Sequence, residues 1–198
     1  MVDHWDRPGW SANREAYYWY LTFDQPDLVQ LAAACQDQLR LPYLDPVPLN
    51  ALHLTLPRVG WTDQITEEQV DRVVETAKNQ CADLSEFRLT IGPLSGSPGA
   101  VRFSVSPWDP VLALYERLRS SVTAALSEEY LEPAFEFRPH IGIAYCNTPI
   151  PPMYLVSAVS KLRVLPPISV MVKQVELVRL RRENKSYLWS TVEAIALG

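Results

Sequence analysis

The sequence predicts an α+β chain built as two similar lobes around one central cleft. Three observations carry that expectation. Segments of strict apolar–polar alternation are interleaved with segments whose apolar residues recur every three to four positions, the order strand or hairpin, helix, strand, helix runs twice, and each round puts one histidine, His53 and then His140, on the polar side of a short strand. No linker-like or low-complexity stretch separates the rounds. The chain therefore reads as one domain over residues 1–198, with two pseudo-repeat lobes and a crossover near residues 82–86.

After an irregular Trp/Pro/Gly opening, Tyr17-Tyr18-Trp19-Tyr20-Leu21-Thr22-Phe23 is aromatic and β-favouring, and Asp24-Gln25-Pro26 supplies helix-start chemistry. Leu28, Leu31, Ala32, Cys35 and Leu39 then form one apolar helical face, and the stretch with Pro42, Pro46 and Pro48 ends it. In Ala51-Leu52-His53-Leu54-Thr55-Leu56 the leucines go to one side of a strand, His53 and Thr55 to the other. Thr66-Glu67-Glu68-Gln69 resembles a capping box that opens a helix with Val70, Val73, Val74 and Ala77 inward.

The second round starts with strands Phe87–Ile91 and Val101–Val105, joined by a Gly/Pro/Ser-rich loop from Gly92 to Gly99. Asp109-Pro110 begins a long helix whose stripe is Val111, Leu114, Tyr115, Leu118, Val122, Ala125 and Leu126. In the strand Arg138–Tyr145, alternation sets Ile141, Ile143 and Tyr145 opposite His140, Gly142 and Ala144. A helix near Pro152–Leu165, with Leu155, Val159 and Leu162 inward, leads to a hairpin of Val170–Arg181 and Tyr187–Ile195 around Glu183-Asn184-Lys185-Ser186.

Composition narrows the function classes. With 47% hydrophobic and 21% charged residues the chain is of ordinary globular composition. No apolar run approaches the roughly 18 residues of a spanning helix, and the start Met1-Val2-Asp3-His4-Trp5-Asp6-Arg7 has no basic and apolar signal regions, so a soluble, cytoplasmic protein without membrane partners is expected. Eighteen Lys and Arg against 23 Asp and Glu give a net charge of −5, which disfavours extended non-specific binding to nucleic acid and leaves room for a small anionic ligand in a locally basic pocket. A monomer is expected. Cys35, Cys81 and Cys146 are too few and too scattered for a disulfide framework or a zinc site, and read as free thiols; no metal and no cofactor are expected.

Two histidines brought to one cleft suit acid–base chemistry on a phosphodiester. Imidazole titrates near pH 6.5, so one ring accepts a proton from the attacking oxygen while the other, made cationic by bound phosphate, donates one to the leaving oxygen. A hydroxyl two residues after the histidine shares its side of the strand and can donate a hydrogen bond to a non-bridging phosphate oxygen, as Thr55 could. A lone histidine on a sheet is more often a packed or solvated residue, which is the reading for His4; the matching positions of His53 and His140 set those two apart. Arg138 and Arg58 are secondary candidates to cradle an anion. The face with Tyr18, Tyr20 and Thr22 would line the cleft, where Tyr20 stacks a base, bonds phosphate or simply packs, while Tyr17, Trp19, Leu21 and Phe23 face helices.

At these residues the chain resembles the 2H phosphoesterases, the family that includes 2′-5′ RNA ligase-like proteins and cyclic phosphodiesterases. His53-Leu54-Thr55-Leu56 and His140-Ile141-Gly142-Ile143, 87 residues apart at positions 53 and 140, are similar to that family's two His-x-Thr/Ser-x motifs. Trp5, Arg7-Pro8-Gly9-Trp10, Tyr17 to Phe23, Leu44-Asp45-Pro46-Val47-Pro48 and Arg138-Pro139-His140 with Ala144-Tyr145-Cys146-Asn147 resemble its bacterial members. The resemblance implies a bilobal duplicated fold, with two antiparallel sheets flanking the cleft and helices outside. It further implies a metal-independent enzyme acting on 2′,3′-cyclic phosphates or 2′-5′-linked nucleotide or RNA ends, with His53 and His140 as acid and base in either assignment and Thr55 gripping phosphate. The second motif departs from the pattern at Gly142, which offers no donor and leaves space, so a binding module that has lost turnover is the alternative.

Overall fold

The computed structural model describes residues 1–6, 10, 14–130 and 136–198; Arg7, Pro8 and Gly9 of the opening motif lie outside the described residues. The first aromatic run forms β1 (Glu15–Phe23), and Pro26 at the first turn opens α1 (Pro26–Gln38). Gln25 stands at the cap of α1 without a side-chain cap bond, so proline geometry rather than capping starts this helix. The proline-rich stretch beyond it contains a short strand that sequence alternation is too brief to reveal, β2 (Leu44–Pro46). Then come β3 (Leu52–Trp61) and α2 (Glu67–Cys81), the latter opened by a complete capping box between Thr66 and Gln69 that contributes about 1 kcal/mol.

Four segments follow in sequence: β4 (Phe87–Ser97), β5 (Ala100–Ser106), α3 (Asp109–Ala125) and β6 (His140–Cys146). The expected loop from Gly92 to Gly99 is mostly strand. Gly92, at φ +127°, takes up the irregularity between Ile91 and Leu94, and β4 resumes pairing from Leu94 to Ser97. The chain ends with α4 (Met153–Leu162), β7 (Ile168–Val172), β8 (Gln174–Glu183) and β9 (Ser186–Ala196). The segment read from sequence as one strand, Val170–Arg181, is two, broken at Lys173.

All strand pairs are antiparallel, in a four-stranded sheet ordered β3-β1-β8-β9 and a five-stranded sheet ordered β2-β6-β5-β4-β7. The architecture is thus α+β, with four α-helices among the described residues, as the sequence predicts. The C-terminal hairpin pairs with β1, although it follows the second histidine strand in the chain. Trp19, Leu21 and Phe23 of β1 join the large core with the inward faces of α1, α2 and α3, while Tyr20 belongs to a small separate cluster with Val178 and Leu180 on the opposite face. Each fully buried leucine or isoleucine of that core stabilises by about 1.5–3 kcal/mol. Among the described residues no helix is long and apolar enough to cross a membrane. Cys35, Cys81 and Cys146 are buried free thiols, and burial pushes those of Cys35 and Cys81 up to about 11.

Two departures from regular pairing set up the cleft. In β3, Thr55 pairs with Tyr20 and Arg58 with Tyr18, so three steps on β3 match two on β1 and Pro57 falls at this bulge of an edge strand. In β6, Gly142 pairs with Arg102 and Ala144 with Val101, which leaves Ile143 as an extra residue. The Ile143 carbonyl accepts from Gln36 Nε2 at 2.9 Å and from the Val47 backbone N–H at 2.9 Å, so the bulge leaves no orphaned acceptor. Beyond the bulge the alternation is reversed.

Candidate active site

The two histidine strands, β3 and β6, belong to different sheets and touch each other across the seam. Each histidine is fastened in the same way. His53 Nδ1 donates to the carbonyl of Ala51 at 2.8 Å, and His140 Nδ1 to the carbonyl of Arg138 at 2.7 Å, in both cases the residue two positions earlier. A ring held by Nδ1–H has its Nε2 on the far side, as the nitrogen that acts as base when neutral and as acid when protonated.

Their surroundings differ. His53 is only 6% exposed: it stacks on Tyr20 at 4.3 Å between centroids and is flanked edge-on by Trp189 at 5.1 Å. Burial, and to a smaller degree the charge of His140, lowers its pKa to about 4, outweighing the opposing pull of the Ala51 carbonyl. At neutral pH His53 is uncharged. His140 is half-buried. That the charge of His140 contributes to lowering the His53 pKa puts the pair within electrostatic range.

Thr55 is exposed beside His53 and lies opposite Tyr20 on the neighbouring strand. Tyr20 itself is 1% exposed, with its pKa raised chiefly by burial, so its ring supports His53 from beneath and no base stacks on it. Arg138 is exposed and bound to Glu136 at 2.7 Å, while Arg58 lies over the Trp61 ring at 4.8 Å. Gly142 does not leave space: a Cβ added there would meet the Tyr145 hydroxyl at 3.1 Å. His4 is a packing residue, stacked on Tyr145 at 3.8 Å and hydrogen-bonded through Nε2 to the Tyr187 hydroxyl at 2.9 Å.

One cation escaped the sequence reading. Arg102 of β5 pairs with Gly142, and its second neighbour Ser104 pairs with His140, so all four share one face of the five-stranded sheet. Its half-buried guanidinium has no hydrogen-bond or ion-pair partner among the described residues; burial and then the charge of Arg138 lower its pKa. A half-buried unpaired arginine is costly unless an anion meets it. The available signal was alternation alone: Arg102 and Ser104 are the polar members of Val101–Val105, but which face met the cleft depended on pairing with β6.

Beside the pair runs a groove of about 630 Å³ lined by Thr22, Asn50, Met171, Lys173, Glu176 and Trp189, among others. It adjoins His53 through Trp189 and through Thr22, the cross-strand neighbour of His53. Among the described residues no three His, Cys, Asp or Glu side chains gather as a metal-binding group.

A sequence model described as the 2′-5′ RNA ligase superfamily matches residues 26–184. No curated protein sequence matches the chain. Among solved structures, TT0787 of Thermus thermophilus is similar at 24% identity and a TM-score of 0.68, over 93% of this chain and 97% of that one. LigT of E. coli complexed with 3′-AMP is similar at 16% identity and a TM-score of 0.68, over 93% and 98%. A conserved protein of unknown function from Agrobacterium tumefaciens, ATU0111, is similar at 15% identity and a TM-score of 0.57, over 90% and 84%.

Proposed function

Since this chain belongs to the 2′-5′ RNA ligase superfamily, we propose that it is a metal-independent phosphodiesterase acting on a 2′,3′-cyclic phosphate or a 2′-5′-linked nucleotide or RNA end. The observation that carries the reading is the matched anchoring of His53 and His140, each tied by Nδ1 to the carbonyl two residues before it, on strands that touch across the seam.

With a cyclic phosphate, His53 acts as base because burial keeps it neutral. Its Nε2 takes a proton from a water whose oxygen bonds to phosphorus. The bond from phosphorus to one ribose oxygen breaks, and protonated His140 gives that oxygen its proton. Water is consumed, a phosphomonoester and a ribose hydroxyl are formed, and transfer of a proton from His53 to His140 through solvent restores the starting state. Arg102 and Thr55 hold non-bridging oxygens, on which charge accumulates in the transition state. Tyr20 keeps the His53 ring in place, and Arg138 contributes its backbone carbonyl to His140.

Turnover of 2′,3′-cyclic AMP and of a 2′-5′-linked dinucleotide, each in excess EDTA, tests this reading directly. Turnover that survives the chelator is expected; activity that vanishes with EDTA and returns with a divalent ion overturns metal independence. The glycine at position 142 favours a second reading, a module that holds such a ligand without cleaving it. Saturable 3′-AMP binding with no turnover of either substrate is its signature.

Arg102→Met keeps the aliphatic stem and removes the charge. It is expected to weaken 3′-AMP binding by about 10–100-fold, the loss of a charge-assisted hydrogen bond, with little change in melting temperature because no partner is stranded. Calorimetric titration checks this: an unchanged dissociation constant removes Arg102 from the phosphate cradle.

A further inference from the structure

The position two residues after His140 has no side chain, yet its place is filled. An ideal Cβ on Gly142 would lie 3.1 Å from Tyr145 Oη, 3.3 Å from Cε1 and 3.4 Å from Cζ, so the hydroxyl-bearing edge of the phenol occupies the volume that serine or threonine would take there.

Tyr145 reaches this place only because of the bulge at Ile143. On an unbroken strand residues 142 and 145 point to opposite faces; with the extra residue in β6, Gly142 pairs with Arg102 and Tyr145 with Ala100, and both share the face of His140. Gln36 and Val47 fasten the bulge through the Ile143 carbonyl. The ring is held by its stack on His4 at 3.8 Å and by Tyr187 edge-on at 5.5 Å. Tyr145 also lines a crevice together with His53, Ala51 and Tyr187, so it meets the first histidine as well as the second motif.

We propose that Tyr145 is the second phosphate-gripping residue of this site, its phenolic O–H donating to a non-bridging phosphate oxygen in the role of the hydroxyl that Gly142 lacks. This rests on the phosphodiesterase reading above. Glycine at 142 is then a requirement of the tyrosine, since any Cβ there crowds the ring. The bulge makes the exchange possible by moving a residue from the core face to the cleft face.

The test compares the wild type with Tyr145→Phe, Gly142→Ser and the double variant, by turnover of 2′,3′-cyclic AMP, titration with 3′-AMP and thermal melting. Tyr145→Phe keeps the stacked ring and is expected to lower kcat by about 10–100-fold, with a similar melting temperature. Gly142→Ser alone is expected to lower the melting temperature without raising kcat. In the double variant the smaller phenylalanine edge admits the serine, and kcat is expected to recover about tenfold over Tyr145→Phe, toward one restored donor. A Tyr145→Phe kcat equal to wild type, or losses from the two substitutions that simply multiply in the double variant, overturns the proposal. Wild-type turnover alongside such a result leaves the phosphodiesterase reading standing. A wild type that neither cleaves the cyclic nucleotide nor binds 3′-AMP overturns both. If it binds without cleaving, the same comparison is read in the 3′-AMP dissociation constants, where Tyr145→Phe is expected to bind about tenfold more weakly.

Discussion

His140→Ala is expected to reduce turnover of a 2′,3′-cyclic nucleotide by about 10²–10⁴-fold, the usual contribution of a positioned general acid or base. Its half-buried ring is anchored to backbone two residues away and fills no core space, so the melting temperature is expected to stay within a few degrees of wild type. His53→Ala is expected to lose as much activity and also to melt earlier, because it empties a space between Tyr20 and Trp189; a core truncation of this kind costs about 2 kcal/mol. This separates the two histidines, which the sequence treats alike. Rates are to be compared below the lower melting transition, so that unfolding is not counted as lost chemistry. A His140 variant with wild-type kcat, or a His53 variant whose folded fraction turns over normally, removes that residue from the mechanism.

Lowering the pH from 7 to 4 is expected to cost the native state on the order of 3 kcal/mol at His53 alone, from a pKa of about 4 in the folded chain against about 6.5 unfolded. The unfolded chain binds the extra proton between those values. Stability from the neutral buried ring is therefore fully present above pH 6.5 and is lost progressively as the pH falls toward 4. The cause is desolvation beside Tyr20 and Trp189, reinforced by the charge of His140. Carboxylates add their own acid dependence, so the informative quantity is the difference between wild type and His53→Gln, which cannot titrate. Urea unfolding at pH 7, 5.5 and 4.5 is expected to give a steeper decline for the wild type; parallel curves would mean that His53 is not held neutral by the fold. Bound phosphate opposes the effect, since an anion beside the ring favours its protonated form.

Much of the candidate site's placement was legible because strands repeat every two residues. Alternation in Leu52-His53-Leu54-Thr55-Leu56 is enough to put His53 and Thr55 on one face, and the structure has Leu52, Leu54 and Leu56 in the core. The same rule failed in Arg138–Tyr145, where it set Tyr145 with Ile141 and Ile143, because a single inserted residue reverses every later side chain and carries no mark in the sequence. Arg102 was missed for a related reason: being polar on an alternating strand says nothing about which partner strand, and hence which histidine, it will lie beside.

By itself, then, the sequence determined the α+β class, the helices of the large core, the two histidine strands and the resemblance that their motifs carry, all of which depend on near-neighbour periodicity and short motifs. Only the tertiary structure decided the rest. Docking of the C-terminal hairpin onto β1, burial of His53 between Tyr20 and Trp189, the bulge braced by Gln36 and the approach of Tyr145 to Gly142 arise from pairings between residues far apart in the chain. Desolvation and register are properties of the assembled packing. Two histidines with the same local motif therefore become chemically unequal groups, one buried and neutral and the other half-buried beside Arg102 and Arg138.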